Sequence, residues 1–194
     1  MLIDVLKENN TKISSVVLAS ALDSVPLNEK GNQESYTKGI QFAGLEDLRK
    51  RIDVNITSQL FIIKSIYKYL DINSHILLFS SIYGVRSPDH RIYQKNFIKP
   101  LEYTTSKSAI IGLTKHLSVT LALEKKGRAN CLILGGLRNE TQDENFQANY
   151  IDKVPLKRML EKEDILNIYD FLNSDKSSYI TGSSIAVDGG YTAW

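Results

Sequence analysis

The sequence predicts an α/β fold with a parallel β-sheet, and two observations carry that prediction. Short apolar, β-branched runs alternate with longer stretches in which apolar residues recur every three or four positions. Polar side chains and glycines arrive where the short runs end, the strand ends at which open α/β sheets place their ligands. Strands that alternate with helices imply βαβ units and right-handed crossovers.

The first run, Ile13 to Leu18, reads as a buried strand, and a polar, turn-rich stretch from Asn28 to Tyr36 follows it. From Leu45 onward, Leu48, Ile52, Ile56, Leu60, Ile63, Tyr67 and Leu70 predict one buried helical stripe, with Asn55 interrupting its polar flank. Ser74 to Phe79 reads as a second buried strand, closing on Ser80-Ser81 and a turn at Gly84. The proline-, charge- and aromatic-containing stretch Arg86 to Pro100 reads as a long surface loop of the kind that usually serves function. Ile110, Leu113, Leu117 and Leu121 mark a second amphipathic helix from about Leu101 to Lys125, with Gly127 placed to stop it. Ala129 to Leu134 forms a third strand with Gly135-Gly136 as its turn, and Glu161 to Leu172 a further helix built on Ile165, Ile168 and Leu172. Ser184 to Val187 makes a fourth strand that ends in Asp188-Gly189-Gly190.

The composition is even, without repeats or linkers, so one domain over residues 1–194 is expected. With 24 Lys and Arg against 22 Asp and Glu, the formal charge of +2 is too small for a nucleic-acid or acidic-membrane footprint. Cys131 lies in an apolar run and reads as a buried thiol, and the three histidines lack zinc-ligand spacing, so no metal site is expected. Neither a signal peptide nor a membrane helix is evident, and a cytoplasmic protein without membrane or nucleic-acid partners is the expectation.

Tyr103-Thr104-Thr105-Ser106-Lys107 opens the second helix, and the i, i+4 spacing puts phenol and ammonium on one face. A phenol is a poor acid or base at neutral pH, and an adjacent cation favours the phenolate. Such a pair can then exchange a proton with a hydroxyl or carbonyl, although the motif alone also suits an ordinary solvated helix face. Ser80-Ser81-Ile82-Tyr83-Gly84 at the preceding strand end, Asn55 in the first helix and Gly135-Gly136 after the third strand supply the context. Tyr83 and Tyr93 read as loop packing. No Gly-x-Ser-x-Gly elbow supports a serine hydrolase.

On Asp53-Val54-Asn55, Phe79 to Gly84, Tyr103 to Ala109, Arg128-Ala129-Asn130, Tyr179 to Gly182 and Val187 to Gly190, the chain resembles the short-chain dehydrogenases/reductases. The resemblance implies the C-terminal part of a Rossmann-type doubly wound sheet, the family's strands four to seven, with the first three strands missing. It implies NAD or NADP as cofactor, a small-molecule substrate, and homo-oligomers built through the two long helices and the last strand. By the same resemblance Tyr103 is the general acid/base, and Ser81 rather than Ser80 holds the substrate oxygen. Lys107 lowers the Tyr103 pKa and holds the nicotinamide ribose, Asn55 positions a water, and Gly135 and Leu137 join Tyr103 and Lys107 in cofactor binding. Ser81 as a simple turn cap and Asn55 as a brace for a bent helix remain alternative roles.

A narrower resemblance, in Ser87 to Tyr93, in Gly135-Gly136 followed by Gln142 to Phe146, and in the ending Asp188 to Trp194, points to bacterial enzymes of flagellin-glycan and nonulosonic-acid sugar synthesis. The family's glycine-rich pyrophosphate turn has no counterpart in the sequence, and Ala19-Ser20-Ala21 and Leu134-Gly135 stand where the family has Asn-Asn-Ala and Pro-Gly. Two expectations follow: an NAD(P)-dependent oxidoreductase, or an inactive truncated remnant that acts only as an assembly subunit or has no function.

Overall fold

The computed structural model describes residues 5, 6, 8, 11–23, 44–93, 97–140 and 142–194. The turn-rich stretch expected at Asn28 to Tyr36 lies outside them.

Four parallel strands, β1 (Ile13–Leu18), β2 (Leu70–Ser81), β3 (Arg128–Leu134) and β4 (Ser184–Val187), lie side by side in the order β1-β2-β3-β4. The helices are α1 (Leu45–Ile52), α2 (Ser58–Ile66), α3 (Leu101–Lys125), α4 (Glu144–Lys153) and α5 (Lys162–Leu172). The predicted α/β class with a parallel sheet is what the structure shows. β2 and β3 form its centre, with Ile76, Leu77, Leu78, Ala129, Cys131 and Leu132 fully buried. One core face joins β2 and β3 to Ile63, Ile66, Ile110, Leu117 and Leu121 of α2 and α3, and the other sets Leu77 and Leu132 against Leu172 of α5. The free Cys131 thiol belongs to the first of these.

Several details differ from the sequence-based expectation. β1 was expected to be buried, yet only Leu18 is; among the described residues β1 pairs along one edge only, with β2. The long apolar stripe does not run unbroken to Leu70. A π-helical turn, Asp53–Thr57, separates α1 from α2, and its wider winding moves the register of the face, so Leu60 is 46% exposed while Asn55, Gln59, Ile63 and Ile66 are buried. Leu70 opens β2, which carries Asn73 at a positive φ of 64° and a register shift against β1. Lys126, not Gly127, takes the left-handed position that ends α3. Gly127 is needed for close approach, since a Cβ there would stand 2.7 Å from the Ser74 carbonyl oxygen. Glu161 caps α5 in a reciprocal box with Asp164.

His75 and Asn130 knit the sheet centre. The Asn130 amide accepts from the Ser183 N–H at 3.1 Å and donates to the Ile180 carbonyl at 2.9 Å, so its Nδ2 must also be the donor toward His75 Nε2 at 3.2 Å. That bond requires a neutral imidazole. Burial first, and the nearby Arg128 charge second, push the His75 pKa from 6.5 down to about 4. The unfolded chain therefore takes up a proton that the folded chain refuses. The stabilisation held by neutral His75 is present above pH 6.5 and drains away as the pH falls toward 4. Chemical denaturation should show about 2 kcal/mol lost from this source between about pH 7 and 5, absent from a His75→Gln chain. Equal pH sensitivity in both chains would refute the assignment.

Candidate active site

β2 ends on two serines whose side chains go opposite ways, as strand alternation requires. Ser80 Oγ donates to the Lys107 carbonyl at 2.7 Å and so fastens the strand end to α3. Ser81 Oγ accepts from the Tyr83 N–H at 3.2 Å and lies near enough to the Tyr103 side chain to lower the pKa of that phenol. Ser81 thus caps the following turn, one of the two roles weighed for it, and its side chain also faces the phenol. The turn Ile82–Gly84 sits so close to α3 that a Cβ on Gly84 would fall 2.5 Å from Ser80 Oγ and 2.9 Å from the Lys107 oxygen. A glycine is required there to bring β2 and α3 together.

Asn55 faces this cluster from the π-helical turn. Its Oδ1 accepts from the Leu22 N–H at 2.6 Å, and its Nδ2 donates to Ser106 Oγ at 3.0 Å and to the Leu22 carbonyl at 3.4 Å. Ser106 Oγ in turn donates to the Tyr103 carbonyl at 2.9 Å. The amide is committed to bracing the segment after β1 against α3.

Tyr103 and Lys107 do not interact as the spacing suggested. Lys107 is buried, its Nζ donates to the Phe79 carbonyl at 3.0 Å, and it lies 5.7 Å from the Tyr103 ring centroid. Burial raises the Tyr103 pKa above its ordinary value and the Asp23 carboxylate adds to the rise, while the neighbouring Ser81 side chain opposes it. Desolvation therefore outweighs the expected lowering, and Tyr103 is a neutral phenol at pH 7. Burial also lowers the Lys107 pKa.

Sequence reasoning missed two charge pairs beside this cluster, one with an exposed aspartate and one buried. Lys99 Nζ stands 2.6 Å and 2.8 Å from the two Asp23 carboxylate oxygens, and 4.4 Å from the Tyr103 ring centroid. Arg51 of α1 meets Glu102 of α3 at 2.8 Å, with both side chains buried. The one available signal was the position of Lys99 and Glu102 flanking the start of α3; nothing in the sequence tied them to Asp23 or Arg51. Tyr83 and Tyr93 share a hydrogen bond of 2.9 Å, and Tyr93 packs on Phe97 and Phe146, so they serve loop packing as expected.

After β3, the Gly135 N–H donates to the Val187 carbonyl, and a Cβ there would stand 3.0 Å from both Asp188 Cα and Tyr150 Oη. Gly135 thus serves the packing of its own chain. Leu137 differs. Its bridge to Leu160 runs through the Arg138 N–H and the Gly136 carbonyl, which leaves the N–H and C=O of Leu137 itself directed away from Leu160. Gln142 Nε2 reaches that carbonyl at 3.0 Å. A cavity of about 700 Å³ borders Gly135, Tyr150, Leu160 and Asp188 but not Tyr103, Ser81 or Lys107. Its Arg158 and Asp164 are paired with each other. Among the described residues no group of His, Cys, Asp and Glu could hold a metal, and no helix is long and apolar enough to cross a membrane.

A family model described as enoyl-(acyl carrier protein) reductase matches residues 27–192. The 3-oxoacyl-[acyl-carrier-protein] reductase FabG of Rickettsia felis is 31% identical over 150 residues, 75% of this chain and 58% of that protein. The dehydrogenase/reductase SDR family member 4 of Oryctolagus cuniculus is 37% identical over 93 residues, 45% of this chain and 35% of that protein. The chain thus spans less than two thirds of the length of these curated relatives. Among solved structures, a short chain dehydrogenase from Leptospira borgpetersenii with bound NAD+ superposes with a TM-score of 0.83 at 27% identity, over 98% of this chain and 69% of that one. A short chain dehydrogenase family protein from Francisella tularensis gives 0.77 at 25% identity, over 100% and 76%.

Proposed function

The chain belongs to the short-chain dehydrogenases/reductases, and from that premise we propose that it is an oxidoreductase that interconverts an alcohol and a carbonyl with NAD or NADP. The observation that carries the proposal is the placement of Ser81, at the end of β2, beside the Tyr103 phenol of α3, with the Lys107 ammonium 5.7 Å from the centre of that ring. Ser81 would hold the substrate oxygen, and Tyr103 would pass its proton to that oxygen as it gains charge. Because burial keeps the phenol neutral, the arrangement starts from the acid form and suits carbonyl reduction.

The residues present fit the nicotinamide end of the cofactor. The outward N–H and C=O of Leu137 suit its carboxamide, and the Lys107 ammonium has donors beyond the one given to Phe79 for the ribose hydroxyls. Gly135 would contribute by keeping the turn before Leu137 tight. The dinucleotide, when bound, would supply or accept the hydride. The pyrophosphate end has no glycine-rich turn to match within these 194 residues. Asn55 is read as a positioning residue, since its amide is already spent on Leu22 and Ser106.

The finer proposals rest on resemblance: a sugar-derived substrate of the nonulosonic-acid kind, one domain, a cytoplasmic setting, and a homo-oligomer through the long helices and β4. Exposed Phe61 on α2 and Val119 and Leu123 on α3 support the oligomer. Reduced nicotinamide consumption should be followed with NADH and NADPH against keto sugars, their nucleotide-linked forms and simple ketones at saturating cofactor. Carbonyl-dependent oxidation of one cofactor is expected. No turnover with either, together with a stable oligomer, would favour the assembly subunit instead.

A further inference from the structure

We propose that Lys99, held in place by Asp23, is a second cation acting on the Tyr103 phenol, a positioning role outside the Tyr-x-x-x-Lys pair. The proposal rests on Tyr103 as the proton-transfer group.

Lys99 is fixed from several sides. It directly precedes Pro100, whose carbonyl accepts from the Tyr103 N–H at 3.2 Å in the first turn of α3. Its own N–H donates to His90 Nδ1 at 3.2 Å. Its ammonium meets both Asp23 oxygens, with the lysine side chain 7% exposed and the aspartate 36%, so the anion forms the rim and the cation lies behind it. From there Nζ stands 4.4 Å from the Tyr103 centroid, over the ring, and 5.9 Å from that of Tyr93. Lys107 is farther, at 5.7 Å, and spends a proton on the Phe79 carbonyl. Coulomb energy grows as solvent is excluded, so the buried Lys99 ammonium over the ring acts on the phenol as well as Lys107.

Asp23 and Lys99 act on the phenol with opposite signs. The carboxylate disfavours phenolate and the ammonium favours it. Removing either leaves the other uncompensated. Ser81 from β2, Lys107 from α3, Tyr93 from the loop before it and the Arg51–Glu102 pair between α1 and α3 also face this region. They stay constant in the comparison below.

A fluorinated tyrosine at position 103 of the full 194-residue chain, read by fluorine NMR, reports ionisation of this one phenol without requiring turnover. Lys99→Met should raise its titration midpoint by about one pH unit or more, and Asp23→Asn should lower it by a similar amount. A midpoint unmoved in either variant, or moved the same way in both, overturns the proposal. Should Lys99→Met fail to fold, Asp23→Asn decides alone: a fall supports the role of the pair, and its absence overturns it. Failure of Tyr103 as the proton donor would appear separately, as retained turnover in Tyr103→Phe, whatever the fluorine titration shows.

Discussion

Replacing Tyr103 by phenylalanine is expected to lower kcat/KM by about 10² to 10⁴, the range supplied by a positioned proton donor. The change removes one oxygen and leaves the ring, so the contacts with Lys99 and the neighbouring aromatic cluster persist. Ser81 keeps its bond from the Tyr83 N–H, and the turn Ile82–Gly84 stays tied to α3 by Ser108 and Ser80. Stability should therefore change by less than about 1 kcal/mol, the net contribution of one hydrogen bond. Nicotinamide binding should hardly change, because Gly135, Leu137 and Lys107 are untouched and Tyr103, the fourth residue expected at the cofactor, loses only its hydroxyl. Steady-state kinetics with a parallel cofactor titration check all three expectations. Turnover within tenfold of the unsubstituted chain would show that another group moves the proton; lost cofactor binding would show that Tyr103 was holding the dinucleotide instead.

The site was legible to the extent that its chemistry is local in sequence. Tyr103 and Lys107 lie one turn apart and Ser81 closes an apolar run, so spacing and strand pattern locate all three. Their interactions were not legible, because these depend on what the tertiary fold buries beside them. Lys107 turns to the Phe79 carbonyl, and the nearer cation comes from Lys99, which is anchored by an aspartate 76 positions earlier. The same distinction holds for the fold. The strongly patterned α3 and β4 occur over the predicted residues, whereas α4 was not anticipated at all. Its ten residues bury only Tyr150, and the cap that starts it is a single Asp143 carboxylate accepting from the Phe146 N–H. The π-helical turn was hidden for a different reason: Asn55 within it and Gln59 just after it are polar, and they are buried because they bond backbone at Leu22 and Ser20. An apolar-stripe argument cannot anticipate a helix face selected by hydrogen bonds.

Asn130 combines the two cases, since it stands in a recognisable Arg128-Ala129-Asn130 run whose purpose only the fold reveals. Fully buried in β3, it serves three partners at once: the Ser183 N–H, the Ile180 carbonyl and His75 Nε2. Together with the Ala129 carbonyl, which accepts from the Gly182 N–H at 2.7 Å, it fastens the segment before β4 to the sheet. Asn130→Leu keeps the side-chain volume but strands a buried backbone donor and a buried backbone acceptor, each costing about 1 to 3 kcal/mol. A total loss of about 2 to 5 kcal/mol is expected in urea denaturation, a large share of a typical domain's stability. Hydrogen exchange should localise the damage. The amides of Cys131, which donates to the Ser183 carbonyl, and of Gly135, which donates to the Val187 carbonyl, should lose protection together as β4 loosens. The β1–β2 pairing should not, because no Asn130 bond reaches β1. A loss below about 1 kcal/mol would mean that water or backbone adjustment satisfies the stranded groups. In that case the run would owe its place to Arg128, which donates to the Leu172 carbonyl at 2.8 Å and so secures the end of α5.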